Sequence, residues 1–158
     1  MRVAQPPSTM WGLTMWVALV AVAWLFLQPR LHEDRPLLSS MLHIAAVLPF
    51  VTLAYLFLIN DTTLLHVAAF GGEALPLKYR FAATWAAREG PLLMWLGWMS
   101  LVAWLWRRPL PGESGQNSDA HDWRLRFMHL MSLTILLIAF SLDPFKATPA
   151  FFRGAGLN

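Results

Sequence analysis

Four runs of apolar residues dominate the chain, and each is about as long as a helix that crosses a lipid bilayer. A membrane helix needs about 20 mostly apolar residues. The runs cover residues 11–27, 40–59, 91–106 and 127–142, and charged residues stand close to their ends. The last two runs are short, but Trp and Arg side chains at their ends can extend them through the interface. The sequence therefore predicts an all-α, polytopic membrane protein with four transmembrane helices in a single membrane domain.

The composition indicates the same class of protein. Charged residues make up 13% of the chain and hydrophobic residues 57%, whereas about 25% of a soluble domain is charged. The net charge of +3 comes from cations near the ends of the apolar runs, where they meet lipid headgroups. This pattern predicts membrane lipid as a partner and excludes nucleic acid. The chain has no cysteine, which excludes disulfides, thiolate metal sites and a C-x-x-C-H haem attachment motif.

Basic residues predict the orientation in the membrane. Cytoplasmic loops carry an excess of Arg and Lys close to the ends of the spans. The short loop between the third and fourth runs carries Arg107, Arg108, Arg124 and Arg126 directly beside both spans. We therefore place the first and third loops in the cytoplasm, which leaves both termini and the central loop, residues 60–90, on the outer face. The first run lacks a small-residue cleavage site, so we expect a retained span and not a signal peptide.

Residues 77–87 in the central loop are predicted to form a short amphipathic helix. On a 3.6-residue period one face collects Leu77, Phe81, Thr84, Trp85 and Arg88. An aromatic helix flanked by cations suits the surface of a membrane. The sequence thus predicts an amphipathic loop that faces outward.

The turn after this helix is predicted to start the third span. Gly90 is expected to cap the span, Pro91 to take its first helical position, and Glu89 to lie near its positive end. These residues are also explained if the segment is only an interfacial membrane anchor followed by the start of a helix. A purely structural role for the segment therefore stays open.

Several segments resemble one known family. The run KYRFAATWAAREGPLLMW at residues 78–95 resembles the segment W-Y-Y-K-F-A-A-x-W-G-x-H-E-G-S-L-L-L-W of the CcmF family, which includes NrfE-type proteins. YLFLIND at 55–61 resembles the family's Y-A-F-L-T-D-D, and ALP at 74–76 resembles its S-A-L-P. DPF at 143–145 and FRGAGLN at 152–158 resemble N-P-F and D-G-R-D-L-N-P. The order of these segments holds over most of the chain.

Two departures limit what the resemblance implies. The histidine of the family's H-E-G motif is Arg88 here, so we expect no role that needs an imidazole at this position. The chain also ends at Asn158, before the family's H-P-P-x-L-Y-x-G-Y helix and its tryptophan-rich W-W-D segment. We therefore expect an N-terminal piece of a split or truncated family protein.

The resemblance implies a role in cytochrome c-type biogenesis, as an N-terminal subunit or fragment of the cytochrome c haem lyase. Such a chain would serve as a scaffold where haem is delivered and attached to apocytochrome c. Its partners would be the remaining part of the split CcmF-like protein, other cytochrome c maturation proteins and apocytochrome c. Haem would be handled by the complex and not ligated by this chain alone. The protein would be located in a bacterial or mitochondrial inner membrane. The residues that face haem or apocytochrome would be Lys78, Tyr79, Trp85, Arg88 and Glu89.

The histidines are the remaining candidate ligands. His43 and His129 lie within predicted spans and are possible axial ligands of a haem iron. We disfavour that role, because hydrogen bonding to a nearby carbonyl or reaching toward the interface accounts for each of them. His66 is expected to be an interface residue, and His32 and His121 to be solvated.

No side chain stands out as catalytic, and no metal site is predicted. The chain by itself is therefore not expected to be an enzyme, although it would belong to a haem lyase complex. The alternative from another class is a small accessory or structural subunit of another membrane complex. A small transporter is a weaker third interpretation, because the spans carry almost no ionisable residues.

Overall fold

A computed structural model describes residues 10–107 and 118–149 of the chain. Within these ranges the regular structure is helical, which confirms the predicted all-α class. A short 3₁₀ turn at Met10–Gly12 precedes seven helices. They are α1 Leu13–Leu27, α2 Leu31–Asp34, α3 Pro36–Leu58, α4 Leu65–Phe70, α5 Leu77–Ala83, α6 Glu89–Trp106 and α7 Ser118–Leu142. Arg108 and the run 152–158 that resembles the family lie outside the described residues.

The four long helices pack as a bundle. Helix α1 packs against α3 and α7, and α6 packs against the same two helices. Helices α3 and α7 therefore lie diagonally opposite each other across the centre. Small residues at the contacts, such as Ala18, Ala46, Ala103 and Ala139, are fully buried and let helix backbones approach closely, as is usual in membrane bundles.

Three of these helices are long and apolar enough to cross a membrane: Met10–Leu27, Pro36–Leu58 and Asp119–Leu142. They overlap the first, second and fourth predicted spans, and they indicate a membrane protein. Helix α6 covers the third predicted span but is not among them, because Glu89 and four Trp residues lower its mean hydropathy.

Several helix boundaries differ from the prediction, among them the start of α3, which lies at Pro36 and not at residue 40. Helix α7 begins at Ser118 and not at Phe127, because a hydropathy pattern detects only the part of a helix that is apolar on all sides. Helix α5 ends at Ala83, short of residue 87, since the chain must turn there to enter α6. Helix α6 begins at Glu89 and not at Pro91, and Arg88 occupies the N-cap position predicted for Gly90.

One end of the bundle is closed by residues 60–90, here called the capping loop, and by the segment that follows α7. The two are joined by backbone pairing, in which the Leu65 N–H donates to the Lys146 carbonyl at 2.9 Å and the Thr148 N–H to the Thr63 carbonyl at 2.8 Å. The Thr148 hydroxyl also donates to the Thr62 carbonyl at 2.8 Å. This pairing fixes the capping loop over the ends of α3 and α7.

Candidate functional site

The capping loop is organised around Arg80. Its guanidinium donates to three carbonyl oxygens, those of Leu75 at 2.9 Å, Glu73 at 2.7 Å and Leu58 at 3.3 Å. Leu58 is the last residue of α3, whose terminal carbonyls lack partners within the helix. One side chain therefore closes the loop on itself and ties it to the end of a long helix.

Beneath the loop, His66 of α4 lies beside Glu89 at the start of α6. The His66 Nδ1 atom is 3.8 Å from Glu89 Oε2, and the two side chains are 9% and 15% exposed. The rings of Phe57 and Phe70 pack edge-on against the imidazole at centroid distances of 5.3 and 5.4 Å. Burial lowers the pKa of His66, and the Glu89 carboxylate partly opposes this shift. Burial thus favours the neutral imidazole.

Buried polar atoms without hydrogen-bond partners concentrate in the same region. Among the described residues they include Asn60 Oδ1, His66 Nε2, Thr84 Oγ1 and Glu89 Oε2. Buried polar atoms are nearly always paired with protein or ordered water. Four such atoms in one stretch of chain leave hydrogen-bonding capacity for water or a ligand, so this end of the bundle is the candidate functional site.

The five residues predicted to face haem or apocytochrome divide into two groups. Lys78, Tyr79 and Arg88 are exposed, and the Lys78 ammonium lies 5.0 Å from the Tyr79 ring centroid. Glu89 points inward to His66. Trp85 is half-buried, with its indole N–H directed at Met94 Sδ at 3.1 Å. The structure therefore gives the site a cationic outer surface and an acidic and aromatic base.

Sequence reasoning missed His66, which was expected to be an interface residue. It is instead buried below the capping loop. The one signal in the sequence was its setting among Leu64, Leu65 and Val67, which indicates burial but not a partner 23 positions away. The pairing with Glu89 depends on α4, a helix that was not predicted.

The two histidines of the predicted spans lie side by side between α3 and α7. His43 on α3 and His129 on α7 are 5% and 3% exposed, and their Nε2 atoms are 3.5 Å apart. His43 Nδ1 contacts the Ser39 carbonyl oxygen at 2.7 Å, as expected for hydrogen bonding to a nearby carbonyl. His129 Nδ1 has no hydrogen-bond partner among the described residues.

His32 and His121 were predicted to be solvated, and this prediction was wrong. The His32 side chain is 7% exposed and His121 is 5% exposed. Their rings pack edge-on at a centroid distance of 5.8 Å. The reason is that α2 folds against the bundle and α7 extends further than predicted. Arg30 fastens the two together, since its Nε donates to Asp122 Oδ2 at 2.6 Å.

Known proteins share sequence with this chain. The cytochrome c-type biogenesis protein CcmF of Escherichia coli is 35% identical over 137 residues, which is 82% of this chain and 20% of that protein. The probable cytochrome c-type biogenesis protein NrfE of the same species is 31% identical over 118 residues, 71% of this chain and 20% of that protein. The NrfE protein of Haemophilus influenzae is 40% identical over 90 residues, 56% of this chain and 14% of that protein.

The chain thus spans no more than about a fifth of the length of these relatives. No protein-family model matches it, and no solved structure is significantly similar. Similarity to both CcmF and NrfE confirms the resemblance noted in the sequence. The chain belongs to the CcmF/NrfE family of cytochrome c-type biogenesis proteins.

Proposed function

We propose that this chain acts in cytochrome c maturation as a scaffold in a membrane assembly that attaches haem to apocytochrome c. The observation that carries the proposal is the similarity to the E. coli CcmF over 82% of the chain. This chain matches 20% of that protein, and we propose that it works together with the remaining family sequence. Other cytochrome c maturation proteins and apocytochrome c are the further partners.

The capping loop forms one wall of the haem and apocytochrome site in this proposal. Lys78 and Arg88 are exposed cations that can pair with haem propionates or with acidic groups of the acceptor. Tyr79 and Trp85 supply aromatic surface, and Glu89 and His66 lie side by side at the base of the wall. The complex handles haem, and this chain alone neither ligates it nor catalyses its attachment.

We further propose that α6 crosses the membrane as the fourth span. It is 18 residues long and packs against both α3 and α7, each of which is long and apolar enough to cross. A helix held between two spanning helices shares their depth in the bilayer. Both termini and the capping loop then lie on the periplasmic side of a bacterial inner membrane, as the density of basic residues beside α6 and α7 predicts.

Reporter fusions test this orientation. Alkaline phosphatase fused after Glu73 should be active, and green fluorescent protein fused at the same position should not fluoresce. Both results are expected because the capping loop is periplasmic. The same reporters fused after Asn117 should give the opposite result. Reversed activities at the two positions would show that the orientation is the opposite of the one proposed. Equal activities would show that α6 does not cross the membrane.

Gene deletion tests the role in maturation. In a host that carries this gene, the deletion strain should lose haem-stained c-type cytochromes, because haem attachment fails, while its b-type spectrum is unchanged. A plasmid copy of the intact chain should restore them. Normal c-type cytochrome content in the deletion strain would contradict the proposal and leave the chain as an accessory subunit of another complex.

A further inference from the structure

The imidazoles of His43 and His129 meet where two diagonal helices face each other across the bundle centre. Cofactor and metal sites of four-helix bundles are built at this place, from side chains that project inward from facing helices. Both rings are almost completely buried, at 5% and 3% exposure. Their Nε2 atoms, 3.5 Å apart, are farther from each other than the usual 2.9–3.0 Å of a hydrogen bond from a nitrogen donor. A direct hydrogen bond therefore accounts poorly for the pair.

The hydrogen bond of His43 holds its ring in the way that is usual for a metal-binding histidine. A carbonyl oxygen only accepts, so the contact with Ser39 places the proton of His43 on Nδ1. In the neutral ring Nε2 then presents its lone pair toward His129. Metal-binding histidines almost always donate their other ring N–H to a carboxylate, a backbone carbonyl or water.

The separation of the two nitrogens fits one shared ion. Two metal–nitrogen bonds of about 2.0–2.1 Å span 3.5 Å at a bond angle of about 120°. Opposite axial bonds of the same length would need about 4 Å between the nitrogens, together with a porphyrin plane between the rings. The arrangement thus fits a bare ion with an open third position better than it fits a haem iron.

The charge of the surroundings selects the ion. Among the described residues no third His, Asp or Glu joins the pair. Arg107 donates to the Ser40 hydroxyl, one turn before His43. A cation of higher charge loses more hydration on burial, and neither a carboxylate nor a thiolate compensates it here. Imidazole suits copper, and Cu(I) carries a single charge and accepts two or three ligands.

We propose that His43 and His129 bind one Cu(I) ion in the centre of the bundle. A cavity of about 270 Å³ between α3 and α6 borders His43 and is lined mainly by apolar side chains such as Ile44, Leu101 and Trp104. The cavity reaches His43 and is not lined by His129, so we place a small third ligand of the ion on the His43 side. The site is distinct from the capping loop and does not depend on the role in cytochrome c maturation.

Competition for Cu(I) tests the proposal directly. The full chain, purified in detergent with a reductant, is titrated with Cu(I) against bicinchoninate. One equivalent should be withdrawn from the chelator. His43→Asn or His129→Asn should weaken binding at least about 100-fold, because losing a ligand costs more than losing a group that only orients one, which costs about 10–100-fold. The matched control is His66→Asn, which removes another buried imidazole and should leave Cu(I) binding unchanged. Size-exclusion profiles and circular dichroism establish that each variant is folded.

X-ray absorption of the copper-loaded wild-type chain gives a readout that does not depend on variants. It should show nitrogen ligation with the scattering pattern of two imidazoles. Sulfur ligation by methionine would contradict the proposed site. The same holds if the wild-type chain binds no stoichiometric Cu(I), or if both variants still bind Cu(I) as the wild-type chain does. Zn(II) binding as tight as Cu(I) would overturn the argument from charge. A stoichiometric Soret band on addition of haemin, lost in the same two variants, would assign the pair to haem instead.

Discussion

Replacing Gly90 by alanine should disrupt the turn that joins the capping loop to α6. A Cβ atom at this position would overlap the Thr84 carbonyl oxygen and lie 2.8 Å from its carbon. Both are backbone atoms, so no flexible side chain can move aside, and the turn itself must shift. We expect a loss in free energy of unfolding of about 3 kcal/mol or more, at the upper end of the effects of overpacking. Glu89 is the adjacent residue, so its contact with His66 should be lost as well.

The matched control is Gly97→Ala, the same substitution in the same helix. The nearest atom to a Cβ at position 97 is Val47 Cγ1 at 3.7 Å, an ordinary contact. Alanine also favours a helix over glycine by about 1 kcal/mol. This variant should therefore be as stable as the wild-type chain or more stable.

Urea denaturation in detergent and limited proteolysis compare the two variants. Gly90→Ala should unfold at lower urea concentration and be cleaved in the capping loop, while Gly97→Ala should resist both treatments. If the two variants behave alike, the close approach of Gly90 to Thr84 is not a feature of the folded protein.

The long helices could be predicted because membrane solvation leaves a strong signal in the sequence. A run of about 20 mostly apolar residues is the length that the hydrocarbon core of a bilayer demands, and α1 and α3 agree closely with the runs at 11–27 and 40–59. The beginning of α7 could not be predicted in this way. Its first turns are amphipathic, with Trp123 exposed and His121 and Leu125 buried, and such a stretch resembles a polar loop when only mean hydropathy is considered.

The candidate site shows a different limit. Glu89 and Trp85 were identified because they lie in the run that resembles the CcmF family, and the structure places both at the base of the capping loop. Their partners were not identified, because pairing between residues far apart in sequence depends on how the helices pack. His66 reaches Glu89 only through α4, and His43 reaches His129 only because α3 and α7 are diagonal in the bundle.

Trp85→Ala combined with Glu89→Ala should abolish most cytochrome c maturation and leave the protein inserted in the membrane. The Trp85 ring packs edge-on against Phe81 at 4.9 Å and Phe50 at 5.9 Å between centroids, and its indole N–H is directed at Met94. Truncation of a large buried aromatic costs about 3–5 kcal/mol, and Trp85 is only half-buried, so a smaller loss confined to the loop is expected. Removal of the Glu89 carboxylate leaves His66 without its acidic neighbour.

The bundle itself should survive this double substitution, because neither side chain belongs to the buried hydrophobic core. Haem staining of c-type cytochromes measures maturation, and immunoblots of membrane fractions measure insertion. The matched control is Glu73→Ala with Trp123→Ala, which also removes one glutamate and one tryptophan. Glu73 is exposed on the same loop, and Trp123 is 68% exposed near the opposite end of the bundle.

Maturation should therefore persist in the control and fail in the Trp85 and Glu89 variant at equal protein levels. Normal c-type cytochromes in both strains would show that the acidic and aromatic base of the capping loop is dispensable. The loop would then serve only as a membrane anchor. Loss of maturation in both strains would show that removing any tryptophan and glutamate is sufficient to stop it. The function would then not depend on this site in particular. A separation of the two strains is expected because Trp85 and Glu89 contact Phe50, Met94 and His66 at the base of the loop, whereas Glu73 and Trp123 are exposed.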